Sequence, residues 1–273
     1  MAITVNSNVT TSLDFNSYID AYDGNFSGTN RGWFQGGATL GDTHEQYGND
    51  SAGDGGAGAS TIFGGTFDYV FGTFTGALNT ISFGTDVNFT GSGNVSSTTL
   101  THDSTLFDIS GLNITGSSGS DPLQKVALSF LNGTAKTDFW SAFNGDSITF
   151  NGNSGDETFK GGNLADVLNG AGGNDVLNGG AGADTLTGGS GTDTLVFTTF
   201  SDSSDTSSDT ITDFVSGTDV IDLGWAFAWD ANLDTAGDVY YDAGTQTLYG
   251  TSDGVNLDFA VNSTNVIAST DLV

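Results

Sequence analysis

The feature that most constrains this chain is a nine-residue period running from Gly152 to Val196. In steps of nine the sequence reads GNSGDETFK, GGNLADVLN, GAGGNDVLN, GGAGADTLT and GGSGTDTLV. The sixth position is acidic in every copy, as Glu157, Asp166, Asp175, Asp184 and Asp193. The eighth is apolar in every copy, as Phe159, Leu168, Leu177, Leu186 and Leu195. A flexible Gly/Asp linker would not hold an apolar residue at one offset five times running. The pattern predicts a parallel β-roll, in which a Gly-rich turn exposes backbone carbonyls and a very short strand points its one large apolar residue inward. Two half-turns close one coil, so residues 18 apart stack and Glu157 pairs with Asp175, Asp166 with Asp184, and Asp175 with Asp193. Stacked carboxylates repel one another, and oxygen ligands suit hard cations such as Ca2+. Folding and calcium binding are therefore expected to be one event. The first two copies depart from the pattern, with Glu157 in place of Asp and Leu164 in place of Gly, so the first sites are expected to be weaker.

Composition narrows what the rest can be. With 33 acidic and four basic side chains the net charge is −29, which excludes nucleic acid and anionic membrane as electrostatic partners. There is no cysteine, so disulfides, zinc–thiolate sites, iron–sulfur clusters and a Cys nucleophile are excluded. A 36% hydrophobic content with 20 phenylalanines supports packed cores in a chain of 273 residues. No apolar run approaches the ~20 residues needed to cross a bilayer, so no membrane insertion is expected. The opening Met1 to Asn6 has neither the basic nor the apolar region of a cleaved secretory leader. Zinc-protease, nucleophile-elbow and phosphate-loop motifs are absent, and the two histidines, His44 and His102, are far apart in sequence, so no enzyme activity is expected.

Beyond the repeat, alternation at Val239, Tyr241, Leu248, Leu257, Phe259 and Val261 predicts antiparallel strands that cap the open end of the roll. This region resembles the C-terminal part of serralysin-type and other RTX proteins exported by type I secretion. The matching residues are Asp209-Thr-Ile-Thr-Asp213-Phe214, Gly217-Thr-Asp219-Val-Ile-Asp222-Leu223 and the acidic-hydrophobic end Asp271-Leu272-Val273. The resemblance implies an uncleaved C-terminal export signal read by a type I apparatus, an extracellular protein of a Gram-negative bacterium, and extra calcium ligation at Asp213.

The first 150 residues read differently. Asp14 followed by Phe15, Tyr18, Ile19, Tyr22 and Phe26 predicts a helix, as do Asp121-Pro122 with Leu123, Val126, Phe130 and Leu131, and the group Phe139, Trp140, Phe143. Strand-like runs start at Phe34, Phe67, Leu78 and Phe107, and His102 is placed in a solvent turn. The expected architecture is an α+β domain over 1–150, an antiparallel sheet covered by helices, followed by an all-β parallel β-roll over 151–197 and a β cap with export signal over 198–273.

The order of elements in 1–146 resembles haem-acquisition hemophores of the HasA type. The resemblance is carried by the segment 14–26, Trp33-Phe-Gln-Gly-Gly37, Phe67-Asp-Tyr69-Val-Phe71, Leu78 to Gly84, Ser110-Gly-Leu-Asn113 and the tract Leu123 to Gly145. It implies haem as a cofactor, Tyr69 as the phenolate ligand to its iron, and an outer-membrane haem receptor as partner. The family's supporting histidine has no counterpart after Tyr69, and the loop Ser27 to Arg31 carries no axial histidine, so the iron would be five-coordinate or completed by water, Tyr47 or His44. The alternative is a calcium-dependent structural or adhesive exoprotein module without haem.

Overall fold

The computed structural model describes residues 2–8, 10–15, 33–36, 44–50, 59–70, 73–90, 99–116, 140–141, 143–254 and 256–273. They divide into two compact units, one of 1–8 with 17–143 and one of 9–16 with 144–273.

In the first unit the described strands form one antiparallel arrangement. Ala2–Ser7 pairs with Thr99–Gly116, followed in order by Thr73–Thr90, Ala59–Val70, His44–Asp50 and Trp33–Gly36. Period-two alternation sends one set of side chains to a common face. The register sets Val5 opposite Ile109 and Ile109 opposite Ile81, all fully buried. One step along, Phe83 faces Phe107 with ring centroids 4.7 Å apart. Gly111 sits at φ +77°, and a Cβ there would come within 2.5 Å of the Ala2 carbonyl oxygen, so the Ala2–Ser7 strand approaches across a residue that must lack a side chain.

The expected α+β class is overturned here: the described residues of the N-terminal region are strand almost throughout. Helical geometry among them is confined to Phe15, Trp140, Ser141 and Phe143. At the helix expected from Asp14, the cap residue Asp14 is extended, as an N-cap is, and Phe15 is helical. Directly before Phe15, Leu13–Asp14 is a short strand paired in parallel with Glu157–Lys160, a contact that the local spacing does not announce. The rest of 14–26, all of 121–133 and Phe139 lie outside the described residues. His102 is no turn residue; it lies within Thr99–Gly116, opposite Val87.

The second unit is a parallel roll. One sheet stacks Ser147–Asn151, Val167–Asn169, Thr185–Thr187 and Asp209–Ile211, so that Phe150, Leu168, Leu186 and Ile211 form one inward rank. The other stacks Leu13–Asp14, Glu157–Lys160, Val176–Asn178, Thr194–Phe197 and Val220–Leu223, with the rank Phe159, Leu177, Leu195 and Ile221. Every residue of both ranks is at most 2% exposed, so the roll is dry inside. The Phe150 and Phe159 rings, one from each rank, stack at 4.1 Å.

Within the repeat the stacking step is 18 residues, as Leu168 on Leu186 and Leu177 on Leu195. Beyond it, Leu186 stacks on Ile211 and Leu195 on Ile221, because the segment 198–208 is inserted between coils. The first sheet then continues through Phe259–Ser263 into the antiparallel strands Thr247–Gly250 and Asp238–Asp242. Of the alternating cap residues expected from sequence, Val239, Tyr241, Leu248, Phe259 and Val261 are buried, whereas Leu257 is exposed. Residues 271–273 lie along the outer edge of Val220–Leu223: Val273 N donates to Ile221 O at 3.1 Å, and Leu223 N donates to Val273 O at 3.0 Å.

Candidate metal centre

The repeat's acidic positions fall into two columns that climb the roll. In one, each carboxylate accepts a hydrogen bond from the backbone of the coil beneath: Ile148 N to Asp166 Oδ1 at 2.7 Å, Asp166 N to Asp184 Oδ1 at 2.8 Å, Asp184 N to Asp209 Oδ1 at 2.9 Å. In the other, Glu157 N donates to Asp175 Oδ1 at 2.7 Å, Asp175 N to Asp193 Oδ1 at 2.9 Å and Asp193 N to Asp219 Oδ1 at 3.1 Å. The stacking pairs expected from the 18-residue period are thus neighbours in one column or the other.

One oxygen of each carboxylate is used in this way; the other is the informative one. Asp166 Oδ2 accepts from Gly162 N at 2.6 Å, and Glu157 Oε2 from Asn153 N at 3.2 Å. By contrast, Oδ2 of Asp175, Asp184, Asp193 and Asp209 is buried with no hydrogen-bond partner. Each of the three repeat aspartates among these folds back over a glycine five residues earlier. A Cβ on Gly170, Gly179 or Gly188 would strike the Oδ2 of Asp175, Asp184 or Asp193 respectively. The glycines of the repeat are therefore required by the carboxylates as well as by the turns. The turns add the second constraint: Gly173 and Gly191 have φ of +120° and +137°, and their Cα atoms pack onto the carbonyls of Gly155 and Gly173.

A buried carboxylate oxygen without a donor is costly as an anion. Burial raises Asp175 to about 7, with the like charges of Glu157, Asp193 and Asp156 adding to it. Burial raises Asp184 to about 6 and Asp209 to about 8, again reinforced by neighbouring aspartates. Asp166 and Asp193 are pushed up by the same desolvation. Buried carboxyl oxygens without a hydrogen-bond partner, and with no cationic side chain paired to them among the described residues, form a donor set suited to a hard divalent ion. The residues present fit calcium.

Asp213 stands apart. Its two oxygens accept from Gly188 N at 3.0 Å and Gly189 N at 2.8 Å, so it ties down a turn of the roll. Three acidic residues missed by the nine-residue count join the columns or their surroundings. Asp209 and Asp219 each stand two residues before an inward apolar residue, Ile211 and Ile221, as the repeat aspartates do. The cue was present in sequence but displaced by the insertion. Asp202, in that insertion, accepts from Thr198 N at 2.7 Å and Thr199 Oγ1 at 2.7 Å, and its charge bears on both Asp184 and Asp209.

For the haem candidates the backbone alone is described. Tyr69 lies in Ala59–Val70 opposite Phe74, and His44 opens the strand His44–Asp50 opposite Phe67.

A family model for the C-terminal region of the serralysin peptidases (peptidase M10) matches residues 113–264, more than half of the chain and spanning the roll and most of the cap. The chain belongs to this serralysin C-terminal family. The matched region is the non-catalytic part of those proteins and binds Ca2+. Membership places this protein outside a Gram-negative cell, exported by the type I pathway. Among the described residues, no helix is long and apolar enough to cross a membrane. No curated protein matches the chain. Among solved structures, the apo hemophore HasA from Yersinia pestis is similar at 20% identity and a TM-score of 0.43, covering 52% of this chain and 87% of that one. The AlgE6R3 subunit of the Azotobacter vinelandii mannuronan C5-epimerase is similar at 31% identity and a TM-score of 0.37, covering 46% of this chain and 77% of that one.

Proposed function

We propose that this secreted protein folds outside the cell around calcium held by two columns of carboxylates, Glu157, Asp175, Asp193 and Asp219 in one and Asp166, Asp184 and Asp209 in the other, with Asp213 bracing the turn at Gly188. The observation that carries this reading is the set of four buried, unpartnered Oδ2 atoms on Asp175, Asp184, Asp193 and Asp209. External calcium is abundant enough for sites of modest affinity. The chain is divided in function as well: 1–150 as the N-terminal region, 151–197 as the repeat at the centre of the metal roll, and 198–273 as the part that adds Asp209 and Asp219 to its columns, caps it and carries the export signal. Far-ultraviolet circular dichroism of the full chain during a calcium titration tests the reading. Strand signal should grow on adding millimolar calcium and be lost in chelator; a spectrum indifferent to calcium would refute it.

Haem binding by Tyr69, with His44 as second ligand and an outer-membrane receptor as recipient, is a second reading of the N-terminal region. The observation in its favour is the register His44 opposite Phe67, which sets His44 one diagonal step from Tyr69 on the neighbouring strand. Hemin titrated into wild type and Tyr69→Phe should give a tyrosinate charge-transfer band in the first and none in the second. Two spectra alike and resembling free hemin would leave the calcium-dependent adhesive or structural module as the reading of the N-terminal region.

A further inference from the structure

The chain enters the roll before it has finished building the N-terminal unit. Residues 1–8 and 17–143 make that unit, while 9–16 belong to the second. On the first side, Asn8 is anchored by Asn8 N donating to Leu106 O at 2.9 Å and by Asn8 Nδ2 donating to Asp108 Oδ2 at 2.9 Å. Only residues 9–12 separate it from Leu13–Asp14, which is seated on the roll. That seat has three parts. Leu13 N donates to Asp156 O at 3.0 Å, and Leu13 and Asp14 pair with Glu157 and Thr158. Phe15, 1% exposed, packs its ring 5.0 Å from that of Phe159. Thr11 O lies so close to Gly155 that a Cβ there would collide with it.

The partner strand is part of the acidic ladder, because Glu157 N donates to Asp175 Oδ1. Glu157–Lys160 is thus held between the carboxylate column on one side and residues 13–14 on the other. We propose that residues 9–16 are a clip through which calcium loading of the roll orders the Ala2–Ser7 strand of the N-terminal unit. The proposal rests on the calcium reading above. Without metal the column's repulsion loosens Glu157–Lys160, Leu13 loses its backbone partner, and Phe15 loses Phe159. Eight residues flanked on both sides by parts of the N-terminal unit then regain their conformational freedom, and the strand just before them frays. With metal the clip is seated and that freedom is removed. The consequence is a regulated N-terminal edge: Ala2–Ser7 becomes fully ordered only where calcium is available.

Hydrogen exchange by mass spectrometry on the full chain tests this, comparing millimolar calcium with chelator and wild type with Phe15→Asp and Leu13→Pro. Leu13→Pro removes the donor to Asp156 without burying a charge. In wild type, peptides over 2–7 and 11–15 should exchange about tenfold or more faster in chelator, while those over Ile81–Phe83 and Phe107–Ile109 stay protected. In calcium, both variants should keep the roll peptides 167–196 protected while 2–7 exchanges as fast as in chelator. Calcium-dependent roll peptides alongside a 2–7 segment indifferent to calcium and to both variants would overturn the clip and leave the calcium reading standing. Roll peptides indifferent to calcium would overturn the calcium reading and the clip with it.

Discussion

The two units solve the same problem, burying one face of a pleated sheet, with different means. In the N-terminal unit the described part of the face is apolar, as in the row Val5, Ile109 and Ile81, and its burial favours folding. In the roll the strands are three or four residues long and bury one apolar residue each, or two in Thr194–Phe197, while a carboxylate two residues before the ranked one is buried beside it. Short strands of this kind bury too little to offset the ordering of long glycine-rich turns and the desolvation of stacked acids. The difference teaches that an apolar rank is sufficient for the first unit and only half of what the second needs. The other half is a counter-charge.

The largest effect expected from this contrast is that of chelation. Removing calcium should abolish the roll's cooperative melting transition and leave that of the N-terminal sheet, apart from its first strand. Scanning calorimetry with and without chelator measures this, and loss of both transitions together would erase the distinction between the units. Next in size are the aromatic cores. With calcium present, Phe159→Ala removes a ring at most 1% exposed and should cost about 3–5 kcal/mol in chemical denaturation. Phe83→Ala in the first unit should cost a similar amount, and only Phe159→Ala should lose its effect in chelator.

A smaller effect separates the members of one column. Asp175 has a buried unpartnered oxygen and neighbours above and below, whereas Glu157 ends the column and spends one oxygen on Asn153 N. Asp175→Asn should weaken calcium binding about 10–100-fold by calorimetric titration, and Glu157→Gln by a few-fold at most. The reverse order would mean that the buried oxygens are not where the ion is held.

The pH dependence is the smallest and carries a sign. In the metal-free fold Asp184, Asp175 and Asp209 titrate near 6, 7 and 8, above the ordinary carboxylate value of 3.8. Raised carboxyl groups favour the fold while protonated. Their contribution is complete below about pH 4 and is lost as pH rises through 6 to 8. In chelator, any residual roll transition should therefore move to lower temperature between pH 5 and pH 8. In calcium the trend should reverse, because protons compete with the ion for the same oxygens. Parallel trends in both conditions would contradict metal binding at these groups.

How much of this was legible in the sequence depended on local period. The roll, its 18-residue stacking and the columns from Glu157 to Asp193 follow from five copies in strict register. Asp209 and Asp219 carry the same acid-x-apolar pattern, yet the insertion 198–208 lengthens the step and hides them from a nine-residue count. The strands at Phe67, Leu78 and Phe107 were legible from alternation. The cap at Asp14 and the helical Phe15 are legible from an acid before aromatic residues at helical spacing, whereas the pairing of Leu13–Asp14 with the roll is not. The strand that pairs with Leu13–Asp14, Glu157–Lys160, lies more than 140 residues further on. At Asp213 the sequence carries the acid, and only the fold reveals the two turn amides aimed at it.

The most direct test of the central claim is anomalous diffraction from crystals of the full chain grown in calcium. Anomalous peaks should lie against the Oδ2 atoms of Asp175, Asp184, Asp193 and Asp209, with backbone carbonyls of the adjoining turns completing the coordination. A calcium-grown crystal with no such peaks, and with those four oxygens bonded to water or to protein donors, would contradict it.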